Sequence, residues 1–330
     1  MAILDTAAEH DPNKILPMEY DWAREYYEAG VANNWVPSEV PMQADVTQWQ
    51  GDALSEGERQ LVEWNLGFFS TAESLTANNL VLALYDHVTA PECRQYLLRQ
   101  AYEEAIHTDT FIYCCDTLGF EPEYLYGMYD RVPAIEAKDE FVVDLTRAID
   151  RPDFTVDGPE DVRELLRDLV GFYVVMEGIF FYAGFAMMLG LKRREKMVGV
   201  GEQFAYIMRD ESLHVGFGVD LIQTIRAEHP EAWDDDFEEE VRRLVRRAVE
   251  LESRYAREAC PGDMLGMAPG QFVDYVEFVA DRRLGQLDLE PAYGTENPFP
   301  WMTEQVDLNT EANFFERTVT EYRNGGSLEW

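Results

Sequence analysis

The sequence predicts an all-α protein, a single large helical bundle, on three observations. Long amphipathic segments dominate, and the Val/Ile/Thr alternation that marks strands is rare. Hydrophobic residues make up 46% of 330 residues and aromatics 13%, enough for one sizeable core. Two of the five histidines stand three residues after a glutamate, in Glu104-Ala-Ile-His107 and Glu211-Ser-Leu-His214. On a helix, positions i and i+3 share a face, so each motif presents a carboxylate and an imidazole to one point.

The elements follow in order. Residues 1–50 are expected to be an irregular segment packed on the bundle, because Pro17, Pro37 and Pro41 preclude long helices. The bundle itself should span 51–296. A helical pattern over 54–86 breaks at His87-Val-Thr-Ala-Pro-Glu92, and Pro91 resets the register for a helix over 93–119. A shorter helix and an Asp/Pro-rich loop fill 120–159. Helices over 160–190 and 193–227 flank Gly190-Leu-Lys-Arg-Arg194, and two more are expected over 235–259 and 269–286. The run Gly171–Leu191 is long and apolar, but it carries Glu177 and several tyrosines and reads as a buried core helix, not a membrane span. Pro291, Pro298 and Pro300 end the bundle. Residues 297–330, which include Gly325-Gly326 and Trp330, read as a tail, either frayed or reserved for a partner.

The hairpins supply two further carboxylates. In an antiparallel helix pair, residues equidistant from the turn lie at one height. Across the break near Pro91, Glu104 mirrors position 73, which is Glu. Each arm is about fifteen residues, roughly 22 Å at 1.5 Å per residue. Across Gly190–Arg194, Glu211 mirrors position 177, also Glu and the lone acid of an apolar run. A carboxylate there is costly to bury unless paired or bound to metal. Glu73, Glu104, His107, Glu177, Glu211 and His214 together make a cage for two metal ions, the arrangement of ferritin-like carboxylate bundles. A single Glu-x-x-His is common on helix surfaces; two, each with a mirrored glutamate, are not. Glu103 and Glu195 fit neither hairpin and read as surface acids or as supports behind the ligands. His10, His87 and His229 lack a preceding carboxylate and read as solvated.

Charge narrows the partners. The 27 basic residues include only four lysines (14, 138, 192, 196), against 64 acids, for a net charge of −37. Such an excess repels nucleic acid and anionic membranes. Lysine-poor, acid-rich surfaces suit a cytoplasm of high salt, where repulsion is screened over a few Å, and imply a halophilic source. The runs Asp234–Glu240 and Asp157–Glu164 lack calcium-loop spacing and read as solvated faces. Cys93, Cys114, Cys115 and Cys260 show neither disulfide nor zinc spacing, and no signal peptide is visible; a reducing cytoplasm fits.

Longer motifs carry a family resemblance. They are Ala32-Asn-Asn-Trp35-Val-Pro-Ser-Glu-Val-Pro-Met42, the two Glu-x-x-His segments, Glu177-Gly-Ile-Phe-Phe-Tyr182, Arg209-Asp210-Glu211, Asn297-Pro-Phe-Pro-Trp301 and Phe314-Phe-Glu-Arg-Thr-Val-Thr-Glu-Tyr322. Across almost its whole length the chain resembles the small, radical-generating subunit of class I ribonucleotide reductase. That resemblance implies a homodimer that works with a separate large, catalytic subunit through the C-terminal tail. It implies Glu73, Glu104 and His107 at a first metal and Glu177, Glu211 and His214 at a second, with Glu104 and Glu211 bridging. It makes Trp35, Asp210 and His107 an electron route and Tyr322 its relay across the tail. Most members carry a radical-storing tyrosine four residues after the first ligand histidine; position 111 here is Phe. Phenylalanine has no O–H to lose. Phe111 with Glu73 resembles the class Ic pattern, in which a manganese/iron pair stores the oxidising equivalent as Mn(IV)/Fe(III); a di-iron pair is the fallback. Tyr206 matches a relay position of that subclass. Phe181, Phe185 and Ile207 should line a dry pocket beside the metals.

Two other readings share the ligand set. A ligand-binding manganese/iron oxidase would show the same six ligands but would differ in the tail and the Asn-Asn-Trp segment, and position 172, where its cross-linking tyrosine is sought, is Phe172. A ferritin-type iron store would need barely half this length and no tyrosine-bearing tail.

Overall fold

A computed structural model of the protein describes residues 3–4, 16–75, 81–149, 151, 153–264 and 266–303. These form helices and connections, with one isolated bridge, Met264 to Met267, as their only β pairing. The segment expected to be irregular holds two helices, α1 (Asp21–Ala32) and α2 (Gln43–Gln50). Both are short, as the prolines require. Next come α3 (Glu56–Leu75), α4 (Val81–His87) and α5 (Pro91–Leu118). Pro91 opens α5 at a position where a missing N–H costs nothing, and Gly119, at φ 78°, closes it in the left-handed region. The stretch 120–159 contains α6 (Pro122–Leu125) and α7 (Pro133–Leu145).

The expected helix 160–190 is three pieces. An α-helix, α8 (Pro159–Leu169), passes into a π-helical segment, Val170–Phe180, and then into α9 (Tyr182–Lys192). Periodicity over so uniformly apolar a run cannot distinguish a π-turn from an α-turn. The run is buried throughout, as a core helix must be. Three longer helices follow: α10 (Val198–Glu228), α11 (Asp235–Ala259) and α12 (Pro269–Gln286).

Helices α3 and α5 pack together, α10 packs on both α5 and the π segment, and α11 closes the bundle against the π segment and α3. Helix α1 lies across α5 and α10, carrying the following loop with Trp35 over their midpoint. The acidic runs are more than solvated faces. Asp234 accepts from Phe237 N at 2.9 Å, capping α11, and Glu240 pairs with Arg167 of α8 at 2.5 Å. Asp161 accepts from Gly158 N at 3.0 Å at the start of α8. The expected tail starts later than residue 297: Phe299 and Met302 are buried, and Phe299 packs on Phe272 and Tyr275 of α12. Residues 304–330, including Tyr322, lie outside the described residues, as does His10. His87 is half-buried against Phe154, ring centroids 5.1 Å apart, and His229 keeps only a quarter of its side chain exposed, so neither is simply solvated. The four cysteines are buried and free.

Candidate metal centre

The breaks fall where the mirror construction requires, at residues 88–90 and 193–197. Glu73 on α3 therefore meets Glu104 and His107 on α5, and Glu177 on the π segment meets Glu211 and His214 on α10. All six side chains are fully buried. Their donor atoms form two quartets: Glu73, Glu104, His107 and Glu211, and Glu104, Glu177, Glu211 and His214, each with its atoms within 4.8 Å of one another. Glu104 and Glu211 belong to both.

Hydrogen bonding alone does not account for this cluster. His107 Nδ1 lies 3.3 Å from Glu73 Oε2, 3.5 Å from Glu104 Oε2 and 3.1 Å from Glu211 Oε1. One N–H cannot serve three carboxylates. His214 Nδ1 repeats the pattern, 3.1 Å from Glu104 Oε1, 3.3 Å from Glu211 Oε2 and 3.7 Å from Glu177 Oε1. Glu73 Oε1, both oxygens of Glu104, Glu177 Oε2 and Glu211 Oε1 are buried without a hydrogen bond. Two carboxylates about 4.8 Å apart repel by about 3 kcal/mol at an effective dielectric of about 20. The three carboxylates of one quartet make three such pairs, a repulsion that bound protons or cations must offset. Cations at the centre of each quartet would remove it. Hard oxygens with one imidazole each suit iron or manganese.

Without cations the charges are strained in opposite senses. Burial pushes Glu73 and Glu177 well above the usual carboxylate range. Burial acts the same way on Glu104, but the neighbouring His107 and His214 imidazoles outweigh it and pull Glu104 below that range. Burial alone would lower both histidines; the Glu73 charge holds His107 well above its usual value, and the Glu211 charge does so for His214.

The far nitrogen of each ring is held by an acid from the opposite helix. Asp210 Oδ2 lies 3.4 Å from His107 Nε2, and Glu103 Oε2 lies 3.0 Å from His214 Nε2. Such partners orient the ring and aim its other nitrogen at a metal. Glu103 is thus fully buried and not a surface acid, whereas Glu195 is exposed. The doubled acids Glu103-Glu104 and Asp210-Glu211, at matching places in the two motifs, are the sequence signal for this role.

The two supporting acids lead to different places. Asp210 accepts from Trp35 Nε1 at 2.7 Å and from Arg209 Nε at 3.2 Å. The Trp35 ring lies 5.0 Å from that of Tyr206, which Arg209 covers at 5.3 Å. Tyr206, Trp35, Asp210 and His107 therefore form one continuous line from a partly exposed phenol to the first quartet. Glu103 instead accepts from Arg99 Nε at 3.0 Å, and Arg99 continues to Asn34. Phe111, one helical turn after His107 on α5, is fully buried between Phe69 and Phe204, at 6.0 and 5.9 Å. Phe181 and Phe185 pack on Phe69 at 4.7 and 5.2 Å, and Ile207 is buried. Phe69 is the hub of this apolar wall and was not singled out by the sequence, although it precedes Glu73 by one turn. Gly184 makes room for it: a Cβ there would sit 2.6 Å from Phe69 Cε2.

Comparison with known proteins agrees with this geometry. Residues 12–298 match the family described as ribonucleotide reductase, small chain. The protein is 51% identical to the ribonucleoside-diphosphate reductase subunit beta of Chlamydia pneumoniae, over 97% of its own length and 92% of that relative's. It is 30% identical to the ribonucleoside-diphosphate reductase subunit M2 of Danio rerio, over 95% of its own length and 76% of that relative's. Among solved structures, a ribonucleotide reductase R2 subunit from Clostridium botulinum superposes with a TM-score of 0.82 at 24% identity, over 93% of this sequence and 94% of that one, and shares its fold. The chain belongs to the family of ribonucleotide reductase small chains.

Proposed function

We propose that this chain is the small subunit of a ribonucleoside-diphosphate reductase of the class Ic kind, and that it stores its oxidising equivalent on a manganese/iron pair instead of a tyrosine. The carrying observation is the pair of buried quartets that share Glu104 and Glu211. Glu73 and His107 would complete one metal position, Glu177 and His214 the other, and the shared glutamates would bridge. When bound, the metal pair supplies a one-electron oxidising equivalent obtained from O₂. The rest is the work of this chain's residues. Asp210 holds the His107 ring and accepts the Trp35 indole proton in a hydrogen bond, giving an electron a short route out of the bundle. Tyr206, beside Trp35, serves as the relay during activation. Phe111 and its aromatic neighbours give the equivalent no phenol to oxidise and keep water away. Tyr322 in the tail carries the route to a separate large subunit, where a cysteine begins ribonucleotide reduction.

A homodimer is part of this reading. Helix α5 leaves Leu98, Tyr102 and Ile112 exposed on one face, 55%, 47% and 45% in the single protomer, with Ala105 between them. That is a surface a second copy would cover. The acid excess supports a cytoplasm of high salt.

The test is to load the protein with manganese and iron, expose it to O₂ and record electron paramagnetic resonance spectra. The expected result is a coupled manganese/iron signal without a tyrosyl radical. A stable tyrosyl signal that tracks activity with iron alone would overturn the reading.

A further inference from the structure

Glu177 is the one acid in the segment that leaves α geometry, Val170–Phe180. In a π-turn each N–H reaches back five residues, so the turn holds one more residue than an α-turn. Where the backbone returns to α geometry at Tyr182, the change from five-residue to four-residue bonding skips one carbonyl, which needs a donor from elsewhere. Two buried cations donate to carbonyls of this turn. Lys138 Nζ, from α7, donates to Phe180 O at 3.1 Å, and Arg283 Nε, from α12, donates to Gly178 O at 2.9 Å.

Both cations are built in. Lys138 is fully buried, paired with Glu252 of α11 at 2.5 Å, and lies 3.4 Å from the centre of the Phe68 ring and 4.1 Å from that of Tyr255. Arg283 is 5% exposed and lies over Tyr182 at 4.7 Å. The residue after Glu177 is a glycine, and a Cβ on Gly178 would sit 3.0 Å from Arg283 Nε and 2.8 Å from Tyr173 O. Any side chain there would push the guanidinium off the carbonyl. A buried ion pair gains little over apolar packing of the same volume. Its value here therefore lies in what Lys138 holds.

We propose that Lys138 and Arg283 are positioning residues: they lock Val170–Phe180 in its π register and so fix Glu177 toward the second quartet. The consequence for metal binding rests on the ligand reading above; the lock itself does not. Helices α7 and α12 thereby set the direction of Glu177, which belongs to the second quartet alone, and donate to no residue of the first.

The test uses full-length protein and two readouts. In Lys138→Met/Glu252→Met the whole pair becomes apolar at similar volume, so the fold should persist. Hydrogen exchange in the metal-free protein should quicken at least tenfold across 171–185 and stay unchanged in α5. In metal titration, the second quartet should lose at least tenfold in affinity while the first holds. Arg283→Met should act the same way, with partial recovery in Arg283→Lys. Arg283→Met decides by the same readouts if the double variant fails to fold. Native exchange across 171–185 in a folded variant, or equal metal loss at both quartets, overturns the lock. Native protein that binds no metal pair would refute the ligand reading and leave the exchange result standing.

Discussion

Trp35 and Asp210, 175 residues apart, share a 2.7 Å hydrogen bond from indole Nε1 to carboxylate Oδ2, and that same oxygen lies 3.4 Å from His107 Nε2. A single atom thus joins the aromatic pair Trp35–Tyr206 to the metal cage. Burial would raise Asp210, but hydrogen bonding to His107 and the Arg209 charge hold it below its usual value, so it stays an acceptor for both neighbours.

Asp210→Asn and Trp35→Phe should retain both metals and lose at least tenfold in the rate of activation and in turnover. Glu103→Gln is the control. It faces the other histidine in the same way but leads to Arg99, so it too should retain both metals, and it should leave electron delivery intact. Metal analysis with stopped-flow absorbance reads both. If Asp210→Asn empties the site, Asp210 merely supports His107.

What the sequence disclosed and what it hid have physical causes. All six cage residues were legible because helical hairpins impose equal arm lengths, and Glu73 and Glu177 fall at the mirrored positions. Helices α11 and α12 were legible to the residue because Asp234 and Pro269 mark their starts. The π segment was not, since Val170–Phe180 is apolar apart from Glu177 and Tyr173 and has no periodicity to break. For Glu103 the sequence left two roles open, a surface acid or a support behind the ligands, because its cross-helix partner, His214, is 111 residues away. The buried pair Lys138–Glu252 was invisible for the same reason: each residue sits in a stretch of ordinary helical charge.

Stability should depend on one buried acid remote from the metals. Asp168 is 2% exposed, and burial, only partly offset by the N–H of Ile149 at 2.7 Å, pushes its carboxyl up to about 7 from 3.8. The folded state then binds the proton more tightly than the unfolded state does. The contribution is favourable below about pH 4 and is lost as pH rises to about 7. At about 1.4 kcal/mol per unit the ceiling is about 4 kcal/mol. Asp168→Asn keeps an acceptor for Ile149 and removes the charge. It should raise the thermal midpoint at pH 8 and change it little at pH 4. Equal shifts at both values would refute the assignment.

The exposed stripe on α5 predicts the dimer face. Leu98, Tyr102 and Ile112 recur at helical spacing on one face of α5. A carboxylate introduced there would be desolvated in the dimer without a partner. Leu98→Asp/Ile112→Asp should therefore sediment as a monomer at micromolar concentration and still bind metals, because neither side chain touches the cage. Unchanged sedimentation would place the second copy on another face.

Tyr322→Phe should leave the metals in place and stop turnover with the large subunit. The residue lies eight positions before the C-terminus, in the stretch 304–330 outside the described residues, and beyond the prolines that close the bundle. Phenylalanine keeps the ring and removes the O–H that proton-coupled transfer requires. The competing role is anchorage, in which the ring only docks the tail on its partner; Tyr322→Phe would then bind and turn over almost as the native protein does. Removing the residues after Gly326 separates the two roles from the other side. That truncation takes away Leu328 and Trp330, the last apolar groups of the tail, and should weaken subunit affinity while turnover at saturating partner persists. Turnover assays and affinity measurements on both variants decide it. Near-native turnover by Tyr322→Phe would take this residue off the electron route.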